Sequence, residues 1–135
     1  MRRRRLGQAL LPFGVLVAVA ACSSDSPSLA PLSAEAERGR QVSIDIGCAT
    51  CHGADGLGGA APGYGGMWGT EITLESGETV TYDEVFVTTA IRDPGAQVRT
   101  GVSNVEMPAY DEAALTDTDL AAVLAFIEEL GAVDG

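Results

Sequence analysis

The 135-residue sequence has no lysine, one histidine (His52), one tryptophan (Trp68) and three cysteines. Each scarcity narrows the chemistry. One histidine and the lack of a second cysteine pair exclude the four-ligand zinc sites built from paired cysteines and added histidines. Cys48 and Cys51 could close one disulfide in an oxidising compartment, but that leaves the histidine beside them unexplained. Positive charge is scarce as well: eight arginines face 19 acidic residues, for a net charge of −11. Nucleic acid and anionic lipid headgroups are poor partners for such a chain. The longest apolar run, Leu6 to Ala21, has 16 residues, short of the roughly 20 that a membrane span needs. No segment repeats, so any cofactor site is single.

That apolar run has the layout of an export signal. Arg2 to Arg5 precede it as a basic region, and it ends in small residues. Its end, Val19-Ala20-Ala21-Cys22, resembles the lipobox of bacterial lipoproteins, in which the cysteine becomes the lipidated first residue of the mature chain. Ordinary cleavage after Ala21, leaving a free Cys22, is the alternative. The reading divides the chain into a lipoprotein signal peptide (1–21), a lipidated tether (22–32) and a folded domain (33–135). Acyl chains contribute about 0.8 kcal/mol per buried methylene, so several on Cys22 would hold the protein firmly on an extracytoplasmic membrane surface. Removing the signal leaves four arginines against all 19 acids, a charge near −15.

Within the domain the pattern predicts a mostly α fold with a small β-hairpin insertion. A first helix starts after Ser33, with Glu35 and Glu37 complementing its dipole, and runs to about Ile46 before Gly47 stops it. Residues 53 to 66 hold seven glycines in fourteen positions and read as a loop. Ile72, Leu74 and Val80 flank Ser76-Gly77 as a hairpin spanning Glu71 to Thr81. Thr81 to Glu84 has the form of a capping box with Val80 and Val85 as its staple, opening a helix that ends before Asp93-Pro94. Thr116 to Asp119, with Leu115 and Leu120 as staple, opens the last helix. Leu120, Val123, Leu124, Ile127 and Leu130 form its apolar face, and Gly131 suits its C′ position.

Cys48-Ala49-Thr50-Cys51-His52 is a haem-attachment signature. Two thiols three residues apart at a helix end reach two vinyl groups on one porphyrin edge, and the adjacent histidine points its ring at the iron. A thioredoxin-like redox pair would want a βαβ context, which this chain lacks. With no other histidine, the second axial ligand falls to Met67 or Met107. Met67 lies in a Gly-Gly-Met-Trp-Gly stretch close behind the motif. Met107 lies 55 residues after His52, stiffened by Pro108. Spacing alone leaves packing roles open for both.

The segment Cys48 to Gly69 followed by Met107-Pro108-Ala109-Tyr110 resembles class I cytochromes c, in particular the cytochrome c domain fused to subunit II of some bacterial haem–copper oxidases. The resemblance spans about residues 34 to 131. It implies that Met107 is the distal ligand and that the Pro62 carbonyl accepts the other ring N–H of His52, fixing the ligand's tautomer. It further implies a close crossing of the first and last helices at Gly39, against Phe126. In the oxidase this domain follows a copper-binding domain and membrane helices, which these 135 residues do not include. Trp68, Tyr64 and Tyr110 are candidate hydrogen-bond donors to haem propionates, and Arg92 and Arg99 candidate cations beside them.

Met/His ligation and burial of the iron both favour the ferrous form and raise the reduction potential. The acidic surface acts the other way, but beyond about 10 Å it is largely screened at 0.1 M salt. With both axial positions filled, the expected role is electron transfer rather than catalysis: a carrier between a quinol-oxidising complex and a terminal oxidase. The alternatives are a cytochrome subunit of a dehydrogenase complex, and a ligand sensor from whose iron Met107 dissociates.

Overall fold

A computed structural model describes residues 31–102 and 107–132. The signal segment, Cys22 and nearly all of the tether lie outside the described residues. Six elements follow one another: α1 (Ala34–Asp45), α2 (Ala49–His52), β1 (Glu71–Thr73), β2 (Thr79–Thr81), α3 (Glu84–Arg92) and α4 (Asp117–Gly131). Among the described residues no helix is long and apolar enough to cross a membrane.

α1 begins where Ser33 Oγ accepts the Ala36 backbone N–H at 3.2 Å, with Glu35 and Glu37 in its first turn. Gly47, at φ 94°, then turns the chain into α2, a backbone conformation that favours glycine. β1 and β2 form an antiparallel pair in which Ile72 faces Val80, closed by a turn at Gly77. At α4, Thr116 Oγ1 accepts the Asp119 N–H at 3.2 Å and donates to the Asp119 carboxylate at 2.8 Å. Leu115 and Leu120 flank this cap, both buried.

The start of α3 departs from expectation. Thr81 does not cap it, because its backbone pairs with Glu71 in the hairpin. The chain stays extended through Tyr82, whose N–H bonds Thr70 O at 2.8 Å. Asp83 takes the cap instead, accepting the Phe86 N–H at 3.0 Å. Asp is as good an N-cap as Thr, so the later start loses nothing locally. Val85 is 71 % exposed and forms no staple.

α1 crosses α4 at very close range. A Cβ on Gly39 would lie 1.8 Å from the Ala122 carbonyl oxygen and 2.8 Å from Val123 N. Gly39 is therefore the contact glycine, but its neighbour is the α4 backbone at Ala122 rather than Phe126. Phe126 instead packs with Ala36 and Leu130 in a small buried cluster. The larger core gathers Ile72, Leu74, Phe86, Val87 and Ile91 onto Leu120, Val123, Leu124 and Ile127 of α4. Gly131 also differs from expectation: it is the last residue of α4, and Ala132 is the cap. A Cβ there would sit 2.3 Å from Trp68 Cβ, so close approach of the 64–69 loop explains that glycine better than capping does.

Candidate functional site

The site grows from a single helical turn. In α2 the His52 N–H bonds Cys48 O at 3.0 Å, which places Cys48, Cys51 and His52 around one turn. The two thiols are half-buried and not joined to each other. Burial raises the Cys48 thiol above its ordinary pKa, while a hydrogen bond with Tyr110 acts in the opposite direction.

The glycine-rich loop then folds back over the carbonyls of this turn. Ala61 N–H bonds Cys51 O at 2.9 Å and Gly58 N–H bonds His52 O at 2.9 Å. Only small residues permit such an approach: a Cβ on Gly63 would lie 2.5 Å from Leu57 C, and one on Gly59 2.9 Å from Cys51 O. The fold-back brings Pro62 O to 2.8 Å from His52 Nδ1. A carbonyl oxygen can only accept, so Nδ1 carries the proton and the lone pair of the neutral ring lies on Nε2. The imidazole also stacks on Tyr64, with ring centroids 4.9 Å apart at 27°. Tyr64 in turn meets the edge of Phe126. One hydrogen bond and one ring face thus hold His52 in orientation.

Met107 reaches the same place from the far end of the chain. Its segment is tied down at Tyr110 on three sides. Tyr110 N–H bonds Ile91 O at 3.0 Å, its hydroxyl donates to Ile46 O at 3.3 Å, and its own carbonyl accepts from Arg92 Nη1 at 2.9 Å. Arg92 also donates to Leu115 O at 2.8 Å and to Asp117 at 2.9 Å. That guanidinium is a clamp between α3, the Met107 segment and the start of α4, and it lines neither of the two cavities at His52 and Met107. Trp68 likewise packs against Gly131 and the core rather than lining the site.

Two cavities meet at His52 and Met107. One, about 270 Å³, is walled by Cys48, Cys51, Ala61, Pro108 and Tyr110 as well. The other, about 400 Å³, runs past Pro62, Tyr64, Tyr82, Phe86, Gln97 and Arg99. Together they make a crevice with the thiols on one wall and the imidazole and thioether at the join. Met67 lines neither; it packs against the core, with Arg99 Nη1 3.6 Å from its sulfur.

The model of the cytochrome c family matches residues 36–131. The chain is a cytochrome c. No curated protein matches it closely enough to stand as a relative. Membership implies covalently bound haem c and the work of a haem-based electron carrier, and Cys48 and Cys51 have the spacing of the attachment motif. The residues present suit that group. Cys48, Cys51 and Met107 line the crevice together with His52, whose Nδ1 is held by the Pro62 carbonyl.

Several lining residues of this cytochrome had no local signal in the sequence, among them Tyr82, Phe86 and Gln97. They come from just before α3, from α3 itself and from the segment after it. No motif joins them to His52, and only the packing of α3 onto α4 brings them there.

Proposed function

We propose that this cytochrome is a lipid-tethered, extracytoplasmic carrier of single electrons, with His52 and Met107 as the two axial ligands of one haem. The observation that carries the reading is the crevice itself, which places His52, Met107 and both thiols around one space. Haem supplies an iron that alternates between ferric and ferrous states. Cys48 and Cys51 would fix it covalently, and His52 would bind through Nε2 with its orientation held by Pro62 O. Met107 would bring a soft sulfur that favours the ferrous state and raises the potential. With His52 and Met107 both holding the iron, a small substrate would have no place to coordinate, which favours relay over catalysis.

Cys22 would carry the acyl chains, keeping the domain near membrane-bound donors and acceptors. A quinol-oxidising complex as donor and a terminal oxidase as acceptor fit a single high-potential haem and the resemblance to the oxidase-fused domain. The acidic chain calls for a partner with a basic docking face.

The test is expression behind a cleavable export signal in a host that matures c-type cytochromes, followed by absorption spectroscopy. The expected result is a low-spin ferric spectrum with the weak long-wavelength sulfur-to-iron band, lost in Met107→Ala. A high-spin ferric spectrum, or ready binding of carbon monoxide by the ferrous form, would overturn the carrier reading in favour of ligand binding.

A further inference from the structure

The His52 imidazole is backed by aromatic rings that end on α4. Tyr64 lies over its face, with ring centroids 4.9 Å apart. Phe126 meets Tyr64 edge-on, at 6.4 Å and 84°, within the range where such pairs attract. Phe126 lines neither of the two cavities at His52 and Met107. It is 1 % exposed and packs with Ala36, Leu130 and Leu32.

Both rings are confined. Gly56 lies against the pair: a Cβ there would be 2.9 Å from Tyr64 Cδ2, 3.1 Å from Phe126 Cζ and 2.5 Å from Leu130 Cδ1. The Tyr64 N–H donates to Gly56 O at 2.8 Å, which straps the two ends of the loop together. On the far side, Phe126 stands one helical turn after Ala122, whose carbonyl lies against Gly39 where α1 crosses α4. The depth of that crossing therefore decides where the Phe126 ring stands. The hydrogen bond to His52 does not fix the imidazole by itself. Pro62 O, 2.8 Å from Nδ1, holds one ring atom, and a carbonyl oxygen accepts over a broad range of directions. The ring could still tilt about that contact, and a second ring pressed on its face removes the freedom.

We propose that Phe126 and Tyr64 are positioning residues for the axial ligand: α4, acting through these two rings, sets the tilt of the His52 imidazole and keeps its Nδ1–H aligned on the Pro62 carbonyl. The proposal rests on the reading above that His52 holds the haem iron. It goes beyond that reading by giving the ligand's orientation to the last helix rather than to the haem-binding turn. An aligned Nδ1–H···O bond makes the imidazole a more basic ligand, which favours ferric iron. A tilted ring loses part of that bond, and the equilibrium moves towards ferrous.

Three readings on the holoprotein test this: solvent exchange of the His52 Nδ1–H by NMR of the ferrous form, g values of the ferric form by electron paramagnetic resonance, and the reduction potential. Tyr64→Leu should speed the exchange by about tenfold, as expected when a hydrogen bond loses its alignment. It should also change the g anisotropy, which follows the plane of the ligand ring. The ferric/ferrous equilibrium should move towards ferrous by about threefold, roughly 28 mV at 59 mV per tenfold for a one-electron couple. Tyr64→Phe keeps the ring and loses only the hydroxyl, so it should restore all three readings. Phe126→Leu should move them in the same direction by a smaller amount. Wild-type exchange and g values in Tyr64→Leu would overturn the proposal. So would a Phe126→Leu protein that is less stable but unchanged in all three readings, or a Tyr64→Phe protein that matches Tyr64→Leu. A wild type lacking the sulfur-to-iron band, but with exchange that still rises in the variants, would sink the Met107 assignment and leave the stack standing.

Discussion

Replacing Gly39 with alanine sets two effects of opposite sign against each other. Helix propensity favours alanine by about 1 kcal/mol in a helix interior, so a reading of α1 in isolation predicts a more stable protein. The crossing with α4 predicts the reverse. The new Cβ would sit 1.8 Å from the Ala122 carbonyl oxygen, where contacts under 3.0 Å essentially never occur, so the helices must part by about 1.2 Å. The obstacle is backbone, so no rotamer change relieves it. A gap of 0.5–1 Å already forfeits roughly a quarter to a half of the dispersion attraction across it. The loss would spread over the packing of Ala36 and Ser43 against α4, both nearly inaccessible to solvent. Overpacking of a rigid core costs about 1–3 kcal/mol, and a backbone obstacle belongs at the upper end or beyond. A net loss of about 2 kcal/mol therefore remains after the propensity gain. For a domain of this size it lowers Tm by roughly 8–16 °C. Thermal unfolding of the holoprotein, followed by circular dichroism, measures it. A Gly39→Ala protein as stable as the wild type would refute the reasoning and return Gly39 to the status of a tolerated helix glycine.

Three further outcomes follow from other parts of the molecule. Arg92→Leu removes three bonds that join α3 to the Met107 segment and α4. It should cost about 3 kcal/mol and weaken the sulfur-to-iron band, with Arg92→Lys recovering only part because a point charge cannot bridge three acceptors. Denaturant titration and absorption spectroscopy on the same samples check both effects. Tyr82 contributes stability that is present below pH 10 and lost as pH rises through about 12, because the folded state keeps the phenol neutral after the unfolded chain has ionised. The rise from 10.0 to about 12 corresponds to about 3 kcal/mol. Unfolding free energy measured across that window should therefore fall more steeply for wild type than for Tyr82→Phe, and parallel curves would contradict this. Replacing Cys48 and Cys51 together by alanine should abolish covalent haem and leave an unstable apoprotein, since a glycine-rich domain of this size buries little apolar surface unaided; a cooperative calorimetric transition from the haem-free double variant would argue against it.

Much of the site was legible because its chemistry is local. Attachment needs two thiols and an imidazole on one helical turn, and that requirement is written as a five-residue string from Cys48 to His52. The caps at Ser33 and Thr116 are local too, as are the hairpin turn at Gly77 and the apolar face of α4. Each depends on residues within about four positions of one another, and no distant contact competes for them. The N-cap of α3 was misplaced because such a contact did compete. The hairpin ladder claimed the backbone of Thr81, and a capping motif cannot show whether its first residue is already paired.

What the sequence by itself determined is therefore the covalent and helical frame: where the haem-binding turn lies, which way it is capped, and where the last helix begins. What only the tertiary structure decided is which distant side chains meet in that frame. Arg92 and Arg99 look alike in the chain, yet one is held by two carbonyls and Asp117 while the other lines the larger cavity. Gly39 reads as a crossing glycine only through the family resemblance and Gly131 as a C′ residue, and it is the fold that sets Ala122 and Trp68 against them. The physical reason is the same in each case. A residue's conformational preference is set by its neighbours in sequence, but the partner that satisfies its charge or fills its missing Cβ is set by helices that pack across tens of residues.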